Sequence, residues 1–230
     1  MAKSRIIKQL ANGEIDLKTA LKRAKVILSD LDDDQISQWV TNEIIGYPDS
    51  DHLPAYRIIQ GSLKGNYFLG APTPKVQCSN SPLSTGDMPE EVRDALLNVY
   101  LTEGVEALKT LSERQGGISK SVPQECCGLI QKYNKNPFIT IVSADVIIGS
   151  HMVVNVLSVI ENKLLDILMV LEKEFGSLDD LDIDMSNKSE IELQDVAKQI
   201  TYIITDNSVT IGDGNKIKDL QIKMDDDKLK

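Results

Sequence analysis

Histidine is nearly missing from this chain. Only His52 and His151 are present, and aromatic residues make up 4% of the 230 positions. So little histidine leaves few ways to build a zinc site or a base for nucleophilic catalysis. The three cysteines are Cys78 and the vicinal pair Cys126-Cys127. An odd count does not make a disulfide framework, and adjacent cysteines lack the Cys-x-x-Cys spacing of a zinc knuckle. No motif surrounds Cys126 or Cys127 that would pair either with His151 as a nucleophile. A long uncharged apolar run is also missing: the most apolar stretch, Met152 to Leu171, carries Glu161, Lys163 and Asp166, too polar for an ordinary membrane span. The opening residues "MAKSRIIKQLANGEID" have no apolar core of a secretion signal. These features lead to the expectation of a cytoplasmic protein.

Excess positive charge is absent too. The net charge is −10, which argues against broad nucleic-acid binding, because that needs Lys and Arg to displace counterions from phosphates. Met1 to Lys25 is the exception, with seven basic residues against Glu14 and Asp16; it reads as a solvated helical face. "IGDGNK" lacks the Gly-Lys-Ser/Thr ending of a phosphate loop. Asp182, Asp184 and Ser186 imitate the start of a calcium loop, but Asn187 stands where glycine is needed and Leu193 where glutamate is needed. Glu161 and Lys163, two apart on a helix, do not face each other and read as solvent-facing charge. No metal or cofactor is expected.

What is present is a clear change of period along the chain. Leu17, Leu21, Ala24, Leu28 and Leu31 recur at helical spacing behind a capping Asp16. Asp32-Asp33-Asp34 opens a second helix with an apolar stripe of Ile36, Trp39, Val40 and Ile44, stopped by Gly46 and Pro48. "YRIIQGSLKGNYFLG" and "KVQCS" are β-rich and predict a small antiparallel sheet. Helix returns after Pro89, with Gly104 interrupting it, and again in "VPQECCGLIQKY". "PFITIV" is β-rich in an ambiguous setting. Val153, Leu157, Ile160, Leu164, Ile167 and Leu171 then step by four and three, widened by Val154, Leu165 and Leu168; this predicts a long buried central helix ending at Gly176. The expected fold is α+β: a mainly helical domain at 1–176, an acidic linker at 177–199 and a β-rich tail at 200–230. In that tail Ile200, Tyr202, Ile204, Val209, Ile211, Ile217, Leu220 and Ile222 are the candidate assembly residues. An isolated hairpin is marginal in water, so such residues gain most by packing on other copies or on the main domain.

"WVTNEIIGYPDSDHLPAYR" resembles the signature of the AbiTii domain of bacterial abortive-infection proteins. The matching residues are Trp39, Glu43, Gly46, Tyr47, Pro48, Leu53, Pro54, Tyr56 and Arg57. The segment around Asn162, Lys163, Leu164, Leu165 and Asp166 resembles a second family stretch, and the resemblance spans roughly residues 4 to 175. "DNSVTIGDGNKI" lies outside it and is similar to short Gly-Asn β tails of bacterial conflict proteins. The resemblance implies antiphage defence and supplies no catalytic residues. Read physically, Gly46 gives a left-handed stop, Pro48 and Pro54 stiffen the loop, Tyr47 and Tyr56 pack over the helix end, and Arg57 pairs with Glu43 or with Asp49/Asp51. The stretch is either a helix-to-sheet corner or a pocket for a ligand or partner.

Three functions follow. The leading one is a non-enzymatic defence protein that binds something and assembles, or docks a protein effector, through its tail. The others are a toxin-like enzyme acting on a host nucleotide or RNA, and a regulatory partner of a separate effector. A homo-oligomer is expected, with no membrane partner.

Overall fold

Alternating apolar periods build both helices and strands in the computed structural model, which describes residues 3–70 and 76–205. Among the described residues there are eight α-helices and six strands, all paired antiparallel. Helices α1 (Arg5–Ala11), α2 (Leu17–Leu28) and α3 (Asp34–Ile45) come first. Asp16 caps α2 by accepting the Thr19 N–H at 2.9 Å, and Asp33 caps α3 by accepting the Ile36 N–H at 3.0 Å, each satisfying a donor that a helix start leaves free.

The β-rich region pairs as expected. Strands β1 (Ile58–Gln60) and β4 (Asn98–Tyr100) make a two-stranded ribbon. The larger sheet has the order β3-β2-β6-β5. Its centre is β2 (Ser62–Leu69) against β6 (Ile139–Ile148), with β3 (Val76–Pro82) and β5 (Ile118–Ser121) at the edges. The ambiguous "PFITIV" thus opens the strand at the middle of the sheet. Ile139, Ile141, Ala144, Val146 and Ile148 of β6 are buried; Ile141 and Ala144 keep to one face because the register shifts opposite Asn66 and Tyr67. The stretch around Gly104 is two short helices, α4 (Glu90–Leu97) and α5 (Val105–Ser112), separated by β4. Helix α6 (Gln124–Tyr133) packs on β6.

The long helix α7 (Ser150–Phe175) is the spine, and α1, α2 and α5 pack along it. Val153, Ile160, Leu164, Ile167 and Leu171 of the predicted seam are fully buried, as is Leu168, while Val154 is exposed. The helix is core within one chain.

The C-terminal reading needs correction. Residues 200–205, expected as strand, belong to helix α8 (Glu190–Thr205), which packs on α7 and α3. Val196, Ile200 and Ile204 are buried in the common core, whereas Tyr202 points outward. Residues four apart share a helix face; alternate residues share a strand face. The acidic stretch before α8 also contributes to the core, through Leu178 and Ile183. Val209, Ile211, Ile217, Leu220 and Ile222 lie outside the described residues.

Candidate functional site

The signature stretch folds around one carboxylate. Glu43 sits in the last turns of α3, and Arg57 follows the Leu53-Pro54 turn; both side chains are fully buried. Arg57 Nη2 donates to Glu43 Oε2 at 2.5 Å and Nε to Oε1 at 3.3 Å. Oε1 also accepts the Tyr47 and Tyr56 hydroxyls, each at 2.7 Å. Arg57 Nη1 donates to the Leu101 and Glu103 carbonyls at 2.8 and 2.7 Å, and the guanidinium lies 4.9 Å from the Tyr47 ring centroid. Trp39 Nε1 donates to the Tyr56 hydroxyl at 2.9 Å. Arg57 therefore pairs with Glu43, not with Asp49 or Asp51.

The electrostatics follow from that packing. Burial and then the Glu43 charge push both tyrosine hydroxyls well above their usual range, so both stay protonated as donors. For Arg57, burial acts to lower its pKa, but Glu43 outweighs it and the pKa is raised. Every carboxylate oxygen is engaged. Among the described residues no buried side-chain polar atom lacks a partner, which is how an ion pair is retained in a dry interior.

Gly46 closes the joint. Its φ is +107°, and a Cβ there would lie 2.7 Å from the Thr102 carbonyl oxygen. On the other side a Cβ on Gly104 would lie 2.4 Å from the Ile44 oxygen. The end of α3 and residues 102–104 thus approach too closely for a side chain on either glycine, and a bridge pairs Gly46 with Glu103. Gly104 is accordingly a contact residue as well as a helix breaker.

Part of the signature also borders a surface cleft. Trp39, Tyr47, Leu53 and Pro54 line an open cleft of about 560 Å³. Gln35, Gln38 and Asn42 of α3 line it as well, spaced to share one helical face. Asp51 and His52 stand at its rim and Ile58 lies in its wall. Ile204 and Thr205, the last two residues of α8, complete it. Pro48 is exposed and does not line the cleft. His52 Nδ1 is 2.6 Å from Asp49 Oδ1; that hydrogen bond and the Asp49 charge raise the His52 pKa, and the same hydrogen bond, with the His52 charge, lowers that of Asp49.

Lys163 is a second correction. Expected as solvent-facing charge, it is nearly buried on α7, with Nζ donating to the Ile203 carbonyl at 2.5 Å and lying 5.5 Å from the Tyr56 ring centroid. It ties the last turn of α8 to the signature joint, satisfying one of the carbonyls that a helix end leaves open. Its register signals this: Ile160, Lys163, Leu164 and Ile167 follow the i, i+3, i+4, i+7 pattern of one face.

A mixed α+β chain whose signature makes a buried ion-pair joint beneath an open cleft is the class these features define. The AbiTii family model matches residues 4–196, so the chain belongs to the AbiTii family, which points to abortive-infection defence in bacteria. The match runs into α8, beyond the extent read from the signature segments. No curated protein and no solved structure matches the chain significantly. Among the described residues no helix is long and apolar enough to cross a membrane.

Proposed function

We propose that this protein serves abortive infection by binding rather than by catalysis, with the signature cleft as its recognition site and the segment beyond Thr205 as its assembly or docking element. One observation carries the reading: the signature divides its labour. Its charged and hydroxyl groups are used up inside the joint, while Trp39, the Tyr47 ring, Leu53 and Pro54 line an open cleft with carboxamides on one wall. Apolar clefts with a few converging polar groups are the usual form of binding sites. The Glu43 carboxylate is fully buried and enclosed by Arg57, Tyr47 and Tyr56, away from a substrate in the cleft.

The test is phage protection by cells expressing variants of the full chain. Leu53→Arg blocks the cleft from a half-buried position, and protection should fall at least about tenfold, the loss expected for one buried aliphatic contact. Val26→Arg, at an exposed residue that does not line the cleft, should leave it unchanged. Equal protection by both variants contradicts the proposal.

The Asp49–His52 pair favours the alternative of a toxin-like enzyme, since an aspartate orienting a histidine at a cleft rim is the arrangement of a general base. His52→Gln separates the two. A base makes the substitution cost about 10²–10⁴-fold in activity; the binding reading expects protection within about threefold of wild type, the effect of one exposed polar contact.

A further inference from the structure

The cleft ends where the described chain ends. Ile204 and Thr205 form part of its lining, so the next residue starts at its rim, and 25 more follow, 206–230.

The chemistry of that segment matches the cleft. "DNSVTIGDGNKIKDLQIKM" offers Ile217, Leu220 and Ile222 among Lys216, Lys218 and Lys223, with Asp219 as the only acid between Lys216 and Lys223. The cleft offers an apolar floor of Trp39, Leu53, Pro54 and Ile204, an Asp51 carboxylate at the rim with Asp49 beside it, and no lysine or arginine in its lining. The carboxamides of Gln35, Gln38 and Asn42 can both donate and accept, which suits a polypeptide backbone. Phosphate-bearing ligands fit poorly, because no lysine or arginine lines the cleft to meet them. Twelve residues from Thr205 to Ile217 reach at most about 40 Å, ample for the chain to leave the rim and return.

We infer that the signature cleft is the docking site of the chain's own Lys216–Lys223 segment, so that recognition of an outside ligand and release of the C-terminal segment compete for one place. This rests on the reading of the cleft as a binding site. It adds a control to it: a ligand that fills the cleft frees the segment proposed to assemble.

Photo-crosslinking of the full chain tests it, with Gln38 replaced by p-benzoylphenylalanine in an equal mixture of light and heavy isotope-labelled protein. Gln38 is exposed on α3 and lines the cleft. The expected adducts join position 38 to residues 216–223 within one chain, light to light and heavy to heavy. The same probe at Tyr202, exposed on α8 and outside the cleft lining, controls for mere tethering, and its yield on 216–223 should be at least about tenfold lower. Ile217→Asp with Ile222→Asp should cut the position-38 yield by a similar factor, since two buried aliphatic contacts are lost. Adducts elsewhere, equal yields from both probes, or mixed light–heavy adducts overturn the inference; mixed adducts make a second copy the occupant. Adducts as expected in a chain whose Leu53→Arg variant still protects against phage keep the docking and remove the recognition role. Loss of protection without the adducts does the reverse.

Discussion

Glu43 is the residue on which the signature turns. It is fully buried and compensated by one guanidinium and two hydroxyls. Glu43→Gln leaves the Arg57 charge inside without a counterion, and should cost about 3–5 kcal/mol in urea unfolding. Replacing both partners, with Glu43→Leu and Arg57→Met, should cost less than the two single changes together, because a well-packed apolar pair removes the desolvation penalty of both charges. Additive losses would mean that the two residues do not act as a unit. Glu172 gives a separate pH signature. Burial acts to raise its pKa, but hydrogen bonds from Lys3 and from the Ser4 hydroxyl and N–H overcome that and hold it at about 2, against an ordinary 4.5. A carboxylate held lower in the folded chain than in the unfolded one adds stability above pH 4.5 and loses it as the pH falls toward 2. Glu172→Gln should therefore flatten the acid limb of the stability curve in that window; an unchanged limb would show that the contact with the N-terminal residues carries no weight in solution.

At the scale of elements, the two helix ends around the joint make distinct predictions. Gly104→Ala puts a Cβ against the Ile44 carbonyl, and because that neighbour is backbone, the change should cost about 2–3 kcal/mol. For α8 the contrast lies within three residues. Ile200→Ala removes a buried side chain and should cost about 2–5 kcal/mol, while Tyr202→Ala, on the outer face, should stay within about 0.5 kcal/mol. Similar losses at both positions would restore the strand reading. That reading failed for a physical reason. "ITYIIT" is rich in β-branched residues, and propensity alone favours a strand, but Val196, Ile200 and Ile204 step by four and bury together on α7 and α3. Tertiary packing decided the element. The long helix, the caps at Asp16 and Asp33 and the β2–β3 region were legible because spacing and local chemistry agree there. The choice of Glu43 as the Arg57 partner was open in the sequence, because Asp49 and Asp51 are nearer along the chain. The inward turn of Lys163 was encoded in its register, yet charge conceals a position that only the periodicity reveals. The carboxamide wall of the cleft carries no sequence signal by itself: Gln35, Gln38 and Asn42 look like any solvated helix face until the Leu53-Pro54 turn is placed opposite them.

For the whole molecule, the helix at 190–205 changes where the chain can be cut. A truncation at Gly176 would strip Leu178, Ile183, Val196, Ile200 and Ile204 from the core and would test folding instead of assembly. A chain ending at Thr205 keeps every one of these contacts. It is therefore the right partner for the full chain in the measurement that bears most directly on the proposed role: multi-angle light scattering of both, side by side, with thermal unfolding followed by circular dichroism to confirm an intact domain. The account predicts a monomer of unchanged melting temperature for the shortened chain, and a defined oligomer for the full chain when Leu53→Arg blocks the cleft and keeps the C-terminal segment out of it. The same copy number for that variant as for the shortened chain, with both fully folded, would contradict assembly through the C-terminal segment.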